Sequence, residues 1–311
     1  MEEGAQDGAT AASYELVVVS YHSRPQIEGL LAGLPADLPL AIVDNASGRD
    51  GLRELAATRP NTRYLDGGGN GFAKAANLGA RSTAYEYVIF VNPDARPTPA
   101  NLATLVGTLV DEPELASSAA TMVSADGDVE IGTGGWEPTL KRAVIHAMGV
   151  HKLLPEAGLF ARPRPYLPLA VEWTTGACMA VRMSTFLGLG CFDEQYYVYN
   201  EDMAFGRAAR EKGLRQSLRT DVLVAHAAGG SGAPNLEMLR LRGASMARYV
   251  SQYNSPTTAG LIRLCLAIGY LTRVAEQLVA RNRPRAMEHF NYVLGVVTGR
   301  ASVGGKVVIG G

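Results

Sequence analysis

The chain has 311 residues, of which 47% are hydrophobic and 19% charged, and this composition is typical of a globular protein with a sizeable core. A formal net charge of −1 gives no general electrostatic basis for binding nucleic acid. The cysteines Cys178, Cys191 and Cys265 form no CxxC pair, so we expect a reducing compartment, the cytoplasm. Residues 1–13 are acidic and rich in small side chains, and they predict a flexible tail rather than a signal peptide. No uncharged apolar run approaches the roughly 20 residues that a membrane span requires.

The first half of the chain predicts strands that alternate with single helices. The predicted strands are Glu15–Tyr21, Leu40–Asp44, Arg63–Leu65 and Tyr87–Val91. The predicted helices are Pro25–Leu34, a segment that ends at Ala57, Phe72–Ser82, and Pro99–Val110 with Thr98 as its cap. This alternation favours a parallel sheet with right-handed crossovers. The predicted fold class is therefore α/β, doubly wound at its start.

The second half is less regular. Residues 127–168 carry glycines, prolines and scattered basic side chains, and we expect a long excursion over the sheet with a helix around Leu140–Leu154. Strand chemistry returns at Glu172–Met183 and at Val222–Ala225, and a helix is predicted between them at Asn200–Lys212. Excursions of this kind commonly supply substrate-binding loops.

Two of the apolar strands end in a carboxylate. The Val88–Val91 run leads through Asn92 and Pro93 to Asp94, and the Leu40–Asp44 strand ends in Asp44. Ligands of open α/β sheets gather at the carboxyl ends of the strands. Asp94 could therefore hold a metal ion over a phosphate, and Asp44 could accept the N–H of a uracil or thymine ring. The alternative for each carboxylate is that it satisfies the backbone amides of a turn.

A glycine cluster, Gly67–Gly71, precedes the helix that begins at Phe72. Glycines let backbone amides approach a diphosphate, and a helix N-terminus favours negative charge. The cluster does not follow the GxGxxG fingerprint of dinucleotide-binding proteins, and a flexible turn is the alternative.

Acidic residues open the helix predicted at Asn200–Lys212. Asn200 is the predicted N-cap, and Glu201 and Asp202 lie in the first turn, where the helix dipole stabilises carboxylates. The same dipole lowers the pKa of a carboxylate, so a general base at this position needs partial burial or close contact with an acceptor hydroxyl. The alternative is that both acids only stabilise the helix.

His226 ends the last predicted strand, and Gly229-Gly230-Ser231-Gly232 follows it. An isolated histidine is more often structural than a ligand. Here, however, it shares the sheet edge with two carboxylates, and Asp, His and diphosphate oxygens together suit Mn²⁺ or Mg²⁺.

The order of these segments resembles the family 2 glycosyltransferases with the GT-A fold, and especially their bacterial rhamnosyltransferase-like branch. The likeness extends from Glu15 to Gly232. The matching stretches are Val17–Tyr21, Val43–Ser47, Gly71–Gly79, Val91–Ala95, Thr175–Met179, Gly190–Glu194, Tyr199–Asp202 and His226.

The resemblance implies a Rossmann-like, mostly parallel central sheet and an inverting, metal-dependent transfer of a sugar from a nucleoside diphosphate sugar to a hydroxyl. Asp202 matches the general base of the family, with Glu201 as the alternative. The implied metal ligands are Asp94 and His226. The other implied contacts are Tyr21, Asp44, Asn45, Gly71, Phe72, Asn77 and Asn92 with the donor nucleotide, and Trp173, Gly176 and Ala177 with the acceptor.

The chain departs from the family pattern at three positions. His22 and Gly69 stand where asparagines are usual, although Asn70 could replace the second. Asn92 replaces the first acid of a DxD motif, which leaves a bound metal with fewer charged ligands.

The resemblance implies a dTDP- or UDP-sugar as donor, with L-rhamnose as the expected sugar. The implied acceptor is a glycan, a lipid-linked sugar or a glycoconjugate in the synthesis of a bacterial cell-surface polysaccharide. Two other functions stay open. A non-catalytic sugar-nucleotide or glycan-binding protein would not need Asp202, and a sugar nucleotidyltransferase would place a glycine-rich basic loop where this chain has Ser20–Arg24.

Residues 255–311 lie outside the likeness, and we expect them to form a helical extension after a glycosyltransferase domain at 14–254. Apolar residues recur on one face of its first helix. They are Leu261, Leu264, Cys265, Ile268, Leu271, Ala275, Leu278 and Val279. Such a face predicts packing on its own domain, a homodimer, or contact with the inner face of the membrane, helped by Arg281, Arg283 and Arg285.

Overall fold

The computed structural model describes residues 13–226 and 235–309. The predicted tail up to residue 12 and the predicted loop Gly229–Gly232 lie outside the described residues. The strands are β1 (Tyr14–Ser20), β2 (Leu40–Asp44), β3 (Thr62–Asp66), β4 (Tyr87–Val91), β5 (Ala95–Arg96), β6 (Leu115–Val123), β7 (Gly134–Gly135), β8 (Ala170–Val171), β9 (Trp173–Thr174), β10 (Cys178–Arg182), β11 (Arg215–His226), β12 (Ala301–Val303) and β13 (Lys306–Ile309).

The helices follow the predicted alternation in the first half and form a layer at the end of the chain. They are α1 (Arg24–Ala32), α2 (Leu52–Ala57), α3 (Phe72–Arg81), α4 (Pro99–Asp111), α5 (Leu140–Ala147), α6 (Met183–Gly188), α7 (Glu201–Glu211), α8 (Asn235–Tyr253), α9 (Pro256–Val279) and α10 (Arg283–Thr298). Two short 3₁₀ turns, Val150–Lys152 and Pro155–Ala157, follow α5.

Nine strands form one mixed sheet in the order β3-β2-β1-β4-β10-β6-β11-β5, and β8 pairs with β11 beside this path. The pairs β1–β2, β1–β4 and β2–β3 are parallel, and so is the pair β6–β11. Strand β10 runs antiparallel between β4 and β6. The predicted fold class, a mostly parallel α/β sheet flanked by helices, is confirmed.

Both faces of the sheet are covered, which explains the continuous apolar runs of its central strands. On one face, Leu16 and Ile42 pack in a core with residues of α1, α2 and α4. On the other face, Val17 and Val43 pack with alanines of α3 and with Phe186 of α6. The alternation of neighbouring residues between two cores is the doubly wound arrangement that the sequence predicts.

The structure differs from several of the predicted elements, and the predicted strand Glu172–Met183 is divided into β9 and β10. Strand β6, whose nine residues are all buried, was not predicted, because its small and hydroxyl side chains lack a β-strand composition. Strand β11 has 12 residues rather than the predicted four. Helix α5 ends at Ala147 instead of Leu154, because Gly149 takes a left-handed conformation with φ 74°.

Helices α8, α9 and α10 pack on one another and share a core with the sheet-bearing part of the chain. That core joins Trp173 and Tyr196 to Ile262, Leu266 and Tyr292. The predicted division at residue 254 therefore falls inside a continuous helical layer. The layer ends in the β12–β13 hairpin, which the prediction of a helical extension did not include.

Among the described residues, α9 alone has the length and apolar composition that a membrane-crossing helix needs. It carries Arg263 and Arg273, in agreement with the absence of a long uncharged run in the sequence.

Two glycines bring α8 and α10 into backbone contact. A Cβ atom at Gly243 would overlap the carbonyl oxygen of Tyr292, and a Cβ atom at Gly295 would overlap the carbonyl oxygen of Arg240. Only hydrogen fits at these two positions, so the distance between the helices depends on both glycines.

We predict that Gly295→Ala lowers the free energy of unfolding by about 1–3 kcal/mol or more, because the helices must separate to admit the methyl group. Gly107→Ala is the matched control, since Gly107 also lies within a helix but has open space around its Cβ position. The control should be neutral or stabilising by up to about 1 kcal/mol through helix propensity. Denaturant unfolding of both variants measures the difference, and equal effects would contradict the proposed close contact.

Candidate active site

Two adjoining cavities lie at the carboxyl edge of the sheet. The first, of about 410 Å³, is called the strand-end cavity because Tyr21, Asn45 and Asp94, which follow β1, β2 and β4, line it. The second, of about 250 Å³, is called the Asp202 cavity and lies at the start of α7. Six residues line both cavities: Phe72, Asn92, Val198, Tyr199, His226 and Arg242.

Asp94 and His226 meet because β5 pairs with the end of β11. In this antiparallel pairing Ala95 is opposite His226, and this places the preceding residue, Asp94, beside the histidine. The His226 Nε2 atom lies 3.1 Å from Asp94 Oδ1, and the Nδ1 atom lies 2.9 Å from Glu130 Oε2. Burial disfavours the imidazolium, but hydrogen bonds and charges from Asp94 and Glu130 outweigh burial and raise the pKa of His226 to about 9.

Glu130 was not among the predicted site residues. It lies in the irregular segment after β6, and its backbone N–H donates to the Met122 carbonyl oxygen. No local pattern marks it, because its relation to His226 depends on the sheet. Within residues 13–226 and 235–309, no group of three or more His, Cys, Asp or Glu side chains is arranged as a metal site.

The first turn of α7 places its two acids in different surroundings. Asp202 is partly exposed to the Asp202 cavity, and its Oδ1 atom accepts a 2.7 Å hydrogen bond from the Met203 N–H. Burial raises the pKa of Asp202 to about 6, although the Met203 N–H and the charge of Arg242 oppose the rise. Burial and the Asp202 charge raise the pKa of Glu201 well above its usual range. No hydrogen-bond partner of Glu201 Oε2 is found in the described part of the chain.

Asn200 does not cap α7 through its side chain, contrary to the prediction. It has the left-handed φ of 70°, as does Tyr199, and its amide nitrogen faces the sulfur atoms of Met203 and Met246. Two successive non-glycine residues in the left-handed backbone region are unusual, and backbone strain of this kind is often found at functional sites. The first turn of α7 therefore lacks a side-chain cap from Asn200, and its Met203 N–H donates to Asp202 instead.

Trp173, Gly176 and Ala177, the predicted acceptor contacts, all line the Asp202 cavity. The Trp173 indole N–H donates to the Trp136 carbonyl oxygen, which fixes the ring. The Ala177 carbonyl oxygen accepts a hydrogen bond from the backbone N–H of Asn92, so the two cavities are joined through the main chain.

Asp44 does not line the strand-end cavity. Its carboxylate accepts hydrogen bonds of 2.8 Å from the Ala46 and Gly48 N–H groups and of 3.0 Å from the Tyr64 hydroxyl. The residue is completely buried. The turn-capping alternative thus describes its contacts, whereas the neighbouring Asn45 lines the cavity.

The glycine cluster behaves mainly as a turn. The N–H groups of Gly67, Gly68 and Asn70 already donate to the Asp44 carbonyl, the Asp66 carboxylate and the Asn45 amide oxygen. A diphosphate cradle made of these three amides is therefore not present.

Gly71 and Phe72 do line the strand-end cavity. A Cβ atom at Gly71, which has a φ of 94°, would overlap the Tyr197 carbonyl oxygen. That carbonyl also accepts the Phe72 N–H at 2.6 Å, so the start of α3 is joined to the segment that leads into α7.

Asn77 does not fit its predicted contact with the nucleotide. It is completely buried, and its amide group bonds to the backbone of Phe192 in both directions and to Glu194. These bonds join α3 to the 192–194 turn, so Asn77 has a structural role.

Arg242 is the second residue that the sequence did not indicate. It lies on α8, lines both cavities, and places its guanidinium 5.7 Å from the ring centres of Tyr199 and Phe160. It supplies a positive charge where the cavities meet.

The fold is that of known nucleotide-sugar glycosyltransferases. The structure superimposes on a mannosyltransferase from Pyrobaculum calidifontis, solved in complex with GDP-Man and Mn²⁺, with a TM-score of 0.57 and 17% sequence identity. The match covers 94% of this chain and 88% of that protein. At this identity the comparison shows the fold alone, which is the GT-A fold.

Sequence comparisons give the family. Residues 16–161 match the family model of glycosyl transferase family 2. The chain is 29% identical over 219 residues to N-acetylglucosaminyl-diphospho-decaprenol L-rhamnosyltransferase of Mycobacterium tuberculosis, which covers 61% of this chain and 68% of the relative. It is 24% identical over 202 residues to rhamnosyltransferase WbbL of Escherichia coli K12, which covers 60% of this chain and 73% of the relative. Residues 16–161 thus form a family 2 glycosyltransferase domain, and both of these relatives are named rhamnosyltransferases.

We predict that Glu201→Gln stabilises the protein at about pH 8 and has little effect near pH 4. Because the pKa of Glu201 is raised in the folded protein, folding holds the proton on Glu201 to a higher pH than the unfolded chain does, which ionises it above its ordinary pKa of 4.5. The free energy of unfolding therefore falls as the pH rises through and above 4.5. Glutamine does not ionise, so the variant does not show this fall. Thermal unfolding at both pH values measures the effect, with the exposed Glu86→Gln as control. A stabilisation that is the same at both pH values would contradict a protonated Glu201.

Proposed function

We propose that this glycosyltransferase is inverting and metal-dependent, with the donor in the strand-end cavity and the acceptor hydroxyl in the Asp202 cavity. The observation that carries the proposal is the shared wall of the two cavities, where Phe72, His226 and Arg242 face both. A donor and an acceptor on either side of this wall would bring the anomeric carbon close to the attacking hydroxyl.

Asp202 is the proposed general base. With a pKa of about 6 it is ionised at neutral pH and still basic enough to accept a proton, whereas burial and the Asp202 charge favour the protonated form of Glu201. The acceptor O–H proton passes to the Asp202 carboxylate while the oxygen forms a bond to the anomeric carbon. On the opposite side, the bond from that carbon to the diphosphate oxygen breaks with its electron pair. The configuration at the anomeric carbon therefore inverts.

Asp94 and His226 are the proposed ligands of Mn²⁺ or Mg²⁺, and a bound ion would take the place of the Nε2 proton that the raised pKa of His226 retains without metal. Glu130 accepts the Nδ1–H of His226, which directs Nε2 towards Asp94, and a carboxylate behind a ligating histidine is a common arrangement. The donor diphosphate would complete the coordination with its oxygens. When bound, the ion would neutralise charge on the departing nucleoside diphosphate. Arg242 is placed to pair with the same phosphates.

The names of the relatives support a proposal for the sugar and the acceptor. Two relatives are named rhamnosyltransferases, and one name includes a lipid-linked diphosphate sugar as acceptor. We therefore propose that L-rhamnose is transferred from its dTDP- or UDP-linked form to a lipid-linked or other glycan acceptor in the synthesis of a cell-surface polysaccharide. Asn45 and Tyr21, in the wall of the strand-end cavity, are the proposed contacts with the nucleoside.

We predict that Asp202→Asn lowers kcat about 10²–10⁴-fold, because asparagine cannot accept the hydroxyl proton. Wild-type kcat should fall as the pH drops below about 6, where Asp202 becomes protonated. Glu201→Gln, the adjacent control, should keep most of the activity. Rates of dTDP and UDP release from the matching sugar donors report both effects. Full activity of Asp202→Asn would remove Asp202 as the base.

The donor site is tested by calorimetric titration of dTDP, UDP and GDP, each with Mn²⁺ and again with chelator. We expect one pyrimidine diphosphate to bind only with the metal, and Asp94→Asn to weaken that binding at least about tenfold, in the range seen for disturbed metal sites. Asp111→Asn, an exposed change at the end of α4, is the matched control. If none of the three binds to folded protein, the proposed donor site is wrong and the non-catalytic alternative gains support.

A further inference from the structure

Helix α9 exposes a row of large apolar side chains to solvent. They recur at spacings of three, four and seven residues and therefore lie along one side of the helix. Each is between 44% and 55% exposed: Leu261, Leu264, Ile268, Leu271 and Leu278. A row of this length on a protein surface marks an interaction site more often than a chance exposure.

The row continues onto the segment after α5. A Cβ atom at Gly269 would lie 2.7 Å from the Cα of Ala147, so the end of α5 lies against the middle of α9. The next residue, Met148, is 72% exposed, and Leu153 and Leu154 are 84% and 60% exposed. The five α9 residues and these three side chains are called the apolar strip.

The two segments that carry the apolar strip concentrate the positive charge of the protein. Residues 140–164 have five Lys or Arg and one Glu, and residues 255–309 have seven Lys or Arg and two Glu. Together they carry a net charge of +9, whereas the other residues, with 17 Lys or Arg and 27 Asp or Glu, carry −10. Lys141, Lys152, Arg281, Arg283 and Arg285 are exposed.

The opposite face of α9 is fixed to the protein. Ile262 and Leu266 are buried in the core shared with Trp173, and Arg263 donates to the carbonyl oxygens of Val296 and Val297. Helix α9 is thus anchored by one face, and its exposed face is available to contact another surface. A second copy of the chain, packed on the same face by two-fold symmetry, would bring two charges of +9 together.

We infer that the apolar strip and its surrounding basic residues dock this protein on the surface of a bilayer that contains anionic lipids. Leucine, isoleucine and methionine side chains enter the boundary between headgroups and acyl chains, and lysine and arginine pair with lipid phosphates. The docking surface is defined by the exposure of the apolar strip and by the charge of the surrounding residues, independently of the enzymatic activity. Its consequence for the acceptor, delivery of a lipid-linked sugar to the Asp202 cavity, rests on the proposed function.

Vesicle sedimentation tests the docking with the full chain. We expect binding to phosphatidylcholine vesicles that contain phosphatidylglycerol, weak binding to phosphatidylcholine alone, and loss of binding as salt increases. The pair Leu264→Gln and Ile268→Gln should weaken partition at least about tenfold, and so should the pair Lys152→Gln and Arg283→Gln.

Val110→Gln with Leu187→Gln is the matched control, because both residues are apolar and about half exposed but lie on α4 and α6. Nucleotide binding by calorimetry should be unchanged in every variant, which separates a failed docking surface from a failed donor site. The proposal is overturned if the wild type does not sediment with anionic vesicles, or if the control loses binding as strongly as the strip variants. Sedimentation velocity that shows a dimer broken by Leu264→Gln and Ile268→Gln, without vesicle binding, would assign the strip to self-association instead.

Discussion

The antiparallel pairing of Ala95 with His226 is the contact on which the site depends. It joins the end of β4, through the turn closed by the Ala95 N–H and the Asn92 carbonyl, to the last residue of β11. Asp94 and His226 come from distant parts of the chain, and the backbone hydrogen bonds of this short pairing hold their side chains 3.1 Å apart. The rest of the sheet serves to bring these two strand ends to the same edge, which is where open α/β sheets place their ligands.

At the start of α7, burial outweighs the helix dipole. A carboxylate in a first turn is ordinarily stabilised in its charged form, and its pKa falls. Here desolvation raises the pKa of both acids, and the charge of Asp202 raises that of Glu201 further. Two neighbouring carboxyl groups thus have different pKa shifts, and environment rather than residue type separates them.

Much of the sheet could be predicted from the sequence, because β1, β2 and β4 are continuous apolar runs that end in recognisable turns. Strand β6 could not, since burial between two strands lets small side chains such as Ser117 serve in place of β-branched ones. The same limit applies to the site. Residues at strand ends, such as Asp94, are marked by local pattern, whereas Glu130 reaches the site only through tertiary structure.

Residues whose type suits two roles were the hardest to assign from sequence. Asp44 and Asn77 have the polar groups that a nucleotide site needs, but their hydrogen bonds are already made inside the protein. Only the arrangement of their neighbours decides between ligand binding and backbone support. Arg242 is the opposite case, because it lies on a helix outside the 16–161 family match and still faces both cavities.

The wall of the strand-end cavity combines segments that lie far apart in the chain. Val19 of β1 and Val303 of β12 both line it, together with Met238 of α8. When the ribosome has made every strand of the central sheet, the cavity still lacks the part of its wall that Met238 and Val303 supply. Domains begin to fold from the N-terminus during synthesis, so the sheet can form before the cavity is complete. Until α8 and β12 emerge, the nascent chain would expose the polar strand ends and the apolar side chains that the helical layer covers. Competence to hold a ligand is thus acquired later in translation than the sheet itself.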